Sequence, residues 1–421
     1  MKKTLLLTSL ILTLNASEIT KLLDAIQKTP DTKLDNIMIK EMKTNKKELI
    51  NSLYPKVSLF ASAEHFNVPT SMRPLPPTES AMLLKTNGTL PFSKNIYRIG
   101  FNISMPIFIK EIYDNKKRMD FLLKATKYQA KLNLLKREAS LITLISNLNY
   151  LFDLKKALKI QQNSIQTTYN AIKVGVNVGR IPEFKLLRLK DSLNQIKTKI
   201  SEVDTKIEDI KAKIYVLTDI YVNKPVNFIS FKVKKGEFFA LKPLKENLKA
   251  TYYEIKSKKD AYLPKVSLKI QGNRAFAKAY NNDDNLALNY ASAGIYVSWD
   301  IFNRKNNSEV QKAKISQTKT QLQIQKTLNE LTSQIININK NLKQIKKQLL
   351  LTKESISLKE ELLKGAKVAF KLNRMTVDEY LGYENDLAKA RADYASLIAL
   401  KNSLIAQKAF IYGKNLKKVF K

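Results

Sequence analysis

The sequence predicts a mainly α-helical chain with a small β part, built as two structural repeats. Three observations point there. The phrase Pro-Lys-Val-Ser-Leu occurs at Pro55 and again at Pro264. Proline, which is excluded from helix interiors, is absent between Pro106 and Pro182 and again after Pro264. Ahead of each proline-free stretch stand short segments of strict apolar-polar alternation, the period of a half-buried strand.

The chain opens "MKKTLLLTSLILTLNASEIT", with two lysines, an apolar run from Leu5 to Leu14 and a small residue at Ala16. This is the three-part pattern of a secretory signal, so residues 1–16 are expected to be a signal peptide, although Leu14 stands where a small residue is preferred. The run is shorter than the roughly 20 residues a membrane-spanning helix needs. No later run is long enough either, so a mature chain that enters a membrane must do so by strands.

The first repeat is expected over 17–219. After N-terminal helices, Val57, Leu59, Ala61 and Ala63 alternate with Lys56, Ser58, Phe60 and Ser62, giving a strand at about 55–66. A loop rich in turn formers, "NVPTSMRPLPPTES" from Asn67, leads to a second strand at about 97–108, where Ile99, Phe101, Ile103 and Met105 alternate with Gly100, Asn102 and Ser104. Long helices follow over about 110–219, with Ile196, Ile200, Val203, Ile207, Ile210, Ile214 and Leu217 forming a heptad seam. Residues 220–242 lack periodicity and read as a linker.

The second repeat is expected over 243–414. Its strands fall at about 264–276 (Val266, Leu268, Ile270) and about 290–302 (Ile295, Val297, Trp299), joined by the turn "AYNNDDN" from Ala279. Long helices then cover about 303–414, and Ile324, Leu328, Leu331, Ile335, Ile338, Leu342, Ile345 and Leu349 make a second heptad seam. A helix from Asn303 to Leu372 would be about 100 Å long, too long for an ordinary globular core. Residues 415–421 are left as a C-terminal tail. The repeat holds away from the first phrase: Gly100 matches Gly294, "MPIF" matches "WDIF", and "VGRIPEFKLL" matches "LNRMTVDEYL", all at one offset of 194.

The net charge of +37 arises from 74 Lys and Arg against 37 Asp and Glu. It invites a nucleic-acid partner. Few of these cations are Arg, the residue suited to bidentate base and phosphate contacts, and the lysines form no dense block, so a nucleic-acid role is not expected. Cysteine is absent and His65 is the only histidine, which removes disulfides, thiol nucleophiles, a Ser-His-Asp triad and multi-histidine metal sites. Neither an enzyme nor a cofactor is expected.

Four strands cannot close a membrane barrel, for which a single chain needs about eight or more. If these strands span a membrane, several chains must share one barrel, and three chains give twelve strands. In a soluble setting the same strands would make a small sheet capping a helical bundle.

The ordered set of features resembles the TolC-like outer-membrane efflux protein family. The residues that carry the resemblance are "LYPKVSL" and "YLPKVSL" before the first strand of each repeat, "MPIF" and "WDIF" before each long helix, and the helical tips "VGVNVGRIPEFKLLRLKDSL" and "AFKLNRMTVDEYLGYENDL". The second tip has Asn373 where the family usually has Gly, a mild change because Asn tolerates a left-handed turn.

The resemblance implies a homotrimer: a twelve-stranded β-barrel in the outer membrane, continued by a long α-helical periplasmic barrel, with a belt from segment 220–242 and the terminal helices. It also implies partners, a periplasmic adaptor (membrane fusion) protein and an inner-membrane pump of RND or ABC type. Carried over by position, an acidic constriction at the periplasmic entrance falls on Glu379 with Asp378 beside it, while the next inward position falls on Gly382. Three Glu379 carboxylates on a threefold axis would raise one another's pKa and attract cations. Lys185 or Arg188 paired with Asp378 or Glu379 would latch the entrance, and Phe370 falls where an aromatic often closes it. Gly179, Arg180, Asn373 and Arg374 are expected adaptor contacts. Trp299, in the fourth strand, and Tyr97 and Tyr296 are candidates for aromatic belts against outer-membrane lipid.

Each assignment has a plainer counterpart. Asp378 and Glu379 suit the first turn of any helix, Phe370 suits a core, and the three aromatics suit cross-strand packing. A secreted periplasmic coiled-coil scaffold or adaptor without a barrel would explain the heptads but leave the four strands idle.

Overall fold

The computed structural model of the protein describes residues 18–420, so the signal peptide expected at 1–16 lies outside the described residues. Helix α1 (Glu18–Ala25) and a 3-10 turn lead into α2 (Pro30–Asn51), then β1 (Lys56–Ser71), α3 (Pro77–Lys85) and β2 (Phe92–Phe108). Helices α4 (Lys110–Asn177), α5 (Glu183–Thr218) and α6 (Leu241–Asp260) precede β3 (Lys265–Lys278) and β4 (Asn285–Ser298). Helices α7 (Arg304–Lys371), α8 (Val377–Ile411) and the single turn α9 (Leu416–Val419) complete the chain. Both α4 and α7 run for 68 residues.

The chain forms two compact units that cut across the sequence repeats. One takes Ile39–Thr126 and Leu244–Gln323, the other Lys127–Pro243, Ile324–Lys421 and the segment ending at Met38.

The first unit contains the sheet, a fully antiparallel meander in the order β1-β2-β3-β4 that leaves β1 and β4 as edges. Alternation sorts its side chains into two faces. One carries Val57, Leu59, Tyr97, Ile99, Phe101, Val266, Leu268, Ile270, Ile295 and Val297, and several of these large apolar residues are open to solvent, Leu59 at 84% and Ile295 at 68%. The other carries Lys56, Ser58, Asn102, Ser104, Lys269, Gln271, Ser292 and Tyr296.

Three strand expectations need correction. The fourth strand begins at Asn285 and ends at Ser298, not at 302, because its partner β3 begins at Lys265, opposite Ser298, and nothing remains to pair with Trp299–Phe302. Its counterpart β2 continues to Phe108, since β3 pairs it as far as Phe108↔Val266. The first hairpin connection is shorter than its composition implied. β1 extends to Ser71 and β2 starts at Phe92, and between them Pro77, at the first position of α3, and Glu79, in its first turn, start a helix.

Beside the sheet, the start of α4 and the end of α6 bring two carboxylates together. Asp114 is fully buried, with Lys110 Nζ at 3.1 Å and Lys256 Nζ at 3.7 Å, and the same Lys110 Nζ lies 3.8 Å from Asp260. Burial, then the neighbouring Asp114 carboxylate, push Asp260 up to about 6. Burial alone would raise Asp114 as well, but the neighbouring Asp260 and the hydrogen bond from Lys110 outweigh that and hold it low.

The second unit is helical, and the heptad seams explain it. On α7, Leu331, Ile335, Ile338 and Ile345 are buried, with Leu328, Leu342 and Leu349 half-buried, while the residues between them are largely exposed. On α5, Val203, Ile207 and Ile214 are buried and join Leu135, Ile142, Ile145 and Leu148 of α4 in one apolar cluster, while Ile196 is buried in a second cluster with Ile165 and Ile172 of α4. The aperiodic stretch after α5 is fixed by single contacts rather than by a ladder. Asn149 of α4 accepts from Val226 N–H at 3.0 Å and donates to Val226 O at 2.8 Å, replacing the backbone partners Val226 lacks. The C-terminal residues are not a loose tail: Phe420 is fully buried, stacks edge-on against Phe228 at 5.6 Å and bridges to Ser230, while Lys417 pairs with Asp24 of α1.

Candidate functional site

The two helical turns that reverse the chain, α4 to α5 and α7 to α8, are closed in the same way. Gly179 N–H donates to Val176 O at 3.0 Å and Arg180 N–H to Gly175 O at 2.9 Å. Asn373 N–H donates to Phe370 O at 3.0 Å and Arg374 N–H to Ala369 O at 2.9 Å. Each is a Schellman closure that needs a left-handed residue, and Gly179 (φ 69°) and Asn373 (φ 56°) supply it. A Cβ on Gly179 would meet nothing within 4 Å, so backbone conformation alone explains glycine there. Asn373 meets the same demand because its short polar side chain tolerates the left-handed region.

Past the turn, Thr376 caps α8. Its hydroxyl accepts from Glu379 N–H at 3.2 Å, and Glu379 Oε2 accepts from Thr376 N–H at 2.7 Å and from the Thr376 hydroxyl at 2.9 Å, a reciprocal capping box. The backbone hydrogen bond and then the hydroxyl hydrogen bond, both from Thr376, hold the Glu379 carboxyl of the protomer below its usual range. In the protomer Glu379 is therefore occupied as a cap.

Asp378, next to it, is gripped by Arg188 of α5, whose guanidinium reaches both carboxylate oxygens. Of the four latch pairings the sequence offered, this one forms. Lys185 makes no ion pair among the described residues. Both partners are more than half exposed, so the pair is worth about 0.5 kcal/mol. Arg180 and Arg374 are exposed at the two turns, beside Val178 and Leu372, which are also exposed.

Phe370 is not free to line an opening. It is 3% exposed and stacks on Tyr380 with ring centroids 4.9 Å apart, inside a cluster with Ile165, Ile172, Leu189, Leu193, Ile196 and Val377. The apolar seam of α7 carries it inward, and the expectation of an entrance aromatic is corrected accordingly.

Beneath that stack lies a polar group the sequence did not reveal. Tyr380 donates to Glu384 Oε1 at 2.8 Å and contacts the Thr168 hydroxyl at 3.0 Å, while Ser164 also donates to Glu384 and Lys367 Nζ donates to Ser164 at 3.0 Å. Glu384 is 3% exposed, and burial pushes the Tyr380 hydroxyl up to about 12. The one available signal was the Tyr380–Glu384 spacing of four on a helix, which places both on one face.

The three aromatics expected at membrane surfaces separate. Tyr97 lies on the apolar face, opposite Phe276, and is exposed. Tyr296 lies on the polar face, where Lys269 Nζ sits 4.8 Å from its ring centroid, so it cannot share a lipid-facing belt with Tyr97. Trp299 falls just beyond β4 rather than within it, and its indole donates to Tyr262 O at 2.8 Å.

No protein-family model matches the sequence, and no curated protein matches it. Solved structures do match in fold. The CmeC outer membrane channel of Campylobacter jejuni superposes with a TM-score of 0.76 at 18% identity, over 94% of this chain and 85% of CmeC. The outer membrane protein VceC of Vibrio cholerae gives 0.77 at 12% identity, over 94% of this chain and 96% of VceC. The MtrE outer membrane channel of Neisseria gonorrhoeae, in its open state, gives 0.76 at 13% identity, over 94% and 89%. With a four-stranded antiparallel meander, two helices of 68 residues and two matching helical turns, the chain has the TolC-like fold.

Proposed function

We propose that the protein is the outer-membrane channel of a tripartite efflux or type I secretion system. Three copies contribute four strands each to a twelve-stranded barrel, and the long helices continue it into the periplasm. An inner-membrane pump of RND or ABC type and a periplasmic adaptor deliver the cargo. No covalent step is involved.

The observation that carries this reading is the open sheet. Both edges, β1 and β4, have no strand partner among the described residues, and one face exposes large apolar residues. In hydrocarbon an apolar face is favoured while an unpaired edge costs several kcal/mol per group, so the edges must pair with other chains. Because the meander alternates direction, β4 of one chain meets β1 of the next in the antiparallel sense, and rotation about one axis closes the ring. The strands, of 14 to 17 residues, exceed the 9–11 or so that a tilted strand needs to cross a bilayer.

The helical turns would form the periplasmic entrance, with Arg188–Asp378 as a latch within each protomer, and Glu379 and Lys185 as the charges nearest it. Gly179, Arg180, Asn373 and Arg374 would present the surface an adaptor meets, and Tyr97 would face lipid near the outer rim. The test is fractionation of cells expressing the full chain. The expected result is a heat-resistant trimer in the outer membrane; release with the periplasm as a soluble coiled coil would overturn the proposal.

A further inference from the structure

We propose that the polar face of the sheet makes the duct anion-selective, with Lys56 and Lys269 as the residues that set the preference, so that its cargo are small molecules carrying a carboxylate, sulfonate or phosphate group. The inference rests on the barrel reading above, in which this face lines the lumen.

The register supplies the argument. Lys56, Ser104, Lys269 and Gly294 are direct cross-strand neighbours, so one row across all four strands holds two lysines and no carboxylate. On the same face, four residues nearer the helices, Lys265 stands opposite Ser298. The row on the other side, Ser58, Asn102, Gln271 and Ser292, is uncharged. Further along, Arg98 is neutralised by Glu64. Lys265 has Glu111 at 4.0 Å. Lys56 and Lys269 therefore remain as cations without a carboxylate partner among the described residues.

The position of Lys269 is set by a ring rather than by an anion. Its Nζ lies 4.8 Å from the Tyr296 ring centroid, and the quadrupole of the ring steadies the ammonium without cancelling its charge. Gly294, opposite Lys269, makes room for that ring, since a Cβ there would meet Tyr296 Cε2 at 3.2 Å. Three copies would bring six such lysines around one lumen, where a ring of like charge with low-dielectric walls concentrates counter-ions and excludes ions of its own sign. The effect is screened once the Debye length, about 10 Å at 0.1 M salt, shrinks to about 3 Å at 1 M.

The experiment is a reversal-potential measurement on the purified full-length protein in a planar bilayer across a tenfold KCl gradient. The expected result is a chloride-to-potassium permeability ratio above one at low salt that approaches one in molar salt. Replacing both lysines, K56Q with K269Q, should lower the ratio severalfold, and K56E with K269E should carry it below one, in variants that keep the trimer band. A wild-type channel that prefers potassium would overturn the anion assignment while leaving the duct intact. A ratio unmoved in both double variants would remove Lys56 and Lys269 as its source. Failure of the wild-type protein to form any channel would overturn the duct itself.

Discussion

At Asn373 the backbone sits at φ 56°, where an L-residue with a Cβ is strained and glycine is not. Asn373→Gly is therefore expected to change stability by less than about 0.5 kcal/mol, whereas Gly179→Ala, at φ 69°, should cost about 1 kcal/mol. Denaturant titration of the two variants checks the contrast. Thr376→Ala, which removes the cap of α8, should cost about 1 kcal/mol by the same assay. The Glu379 carboxyl, held below its usual range, contributes its half of the cap at neutral pH. That contribution fades as pH falls below the ordinary value of 4.5 and through the lowered one. The turn at Asn373 was legible in the sequence, because a left-handed closure depends on a few adjacent residues. The burial of Glu384 was not. Its partner Ser164 lies more than 200 positions away on α4, and nothing local separates a buried helical glutamate from a solvated one.

At the scale of elements, the carboxylate pair that joins α4 to α6 makes stability depend on pH with a definite sign. Asp260 binds its proton more tightly in the folded state, near 6 against 3.8 for an ordinary aspartate. The folded chain thus holds an extra proton between those values, and stability falls as pH rises through that window. Asp114, held low, acts in the opposite sense and only below the ordinary value. Asp260→Asn keeps the shape of the side chain and removes the titration. Calorimetry should find the wild-type melting temperature lower at pH 7.5 than at pH 5 by a margin that shrinks in the variant. An equal margin in both would contradict the assignment.

Helices and strands were legible to different degrees. The heptads predicted which residues of α5 and α7 turn inward because a helix satisfies its own backbone and its apolar stripe alone sets its facing. Alternation likewise predicted the two faces of the sheet. It did not predict where β4 stops, because a strand ends where its neighbour ends, and that neighbour, β3, is set by a different part of the chain. For the same reason Trp299 falls outside the strand that alternation extends to it, and Tyr296 lies on the polar face, opposite Ser267.

For the whole molecule, duplication and compactness divide the chain differently. Each repeat gives two strands to one compact unit and long helical stretches to the other, so neither repeat could form the sheet without its sister. The sheet itself is unfinished, with two long free edges and an exposed apolar face. The central claim is that three chains finish it by pairing β4 of one with β1 of the next. The chain has no cysteine, so introduced ones report without background. Within one chain β1 and β4 are three strand spacings apart, about 14 Å at about 4.8 Å each, beyond the roughly 7 Å reach of a disulfide. A cysteine scan of residues 57–63 against residues 291–297, oxidised in the outer membrane, is expected to give disulfide-linked species that end at the trimer. Chains that stay monomeric across the whole scan, or ladders that continue past three, would contradict the claim.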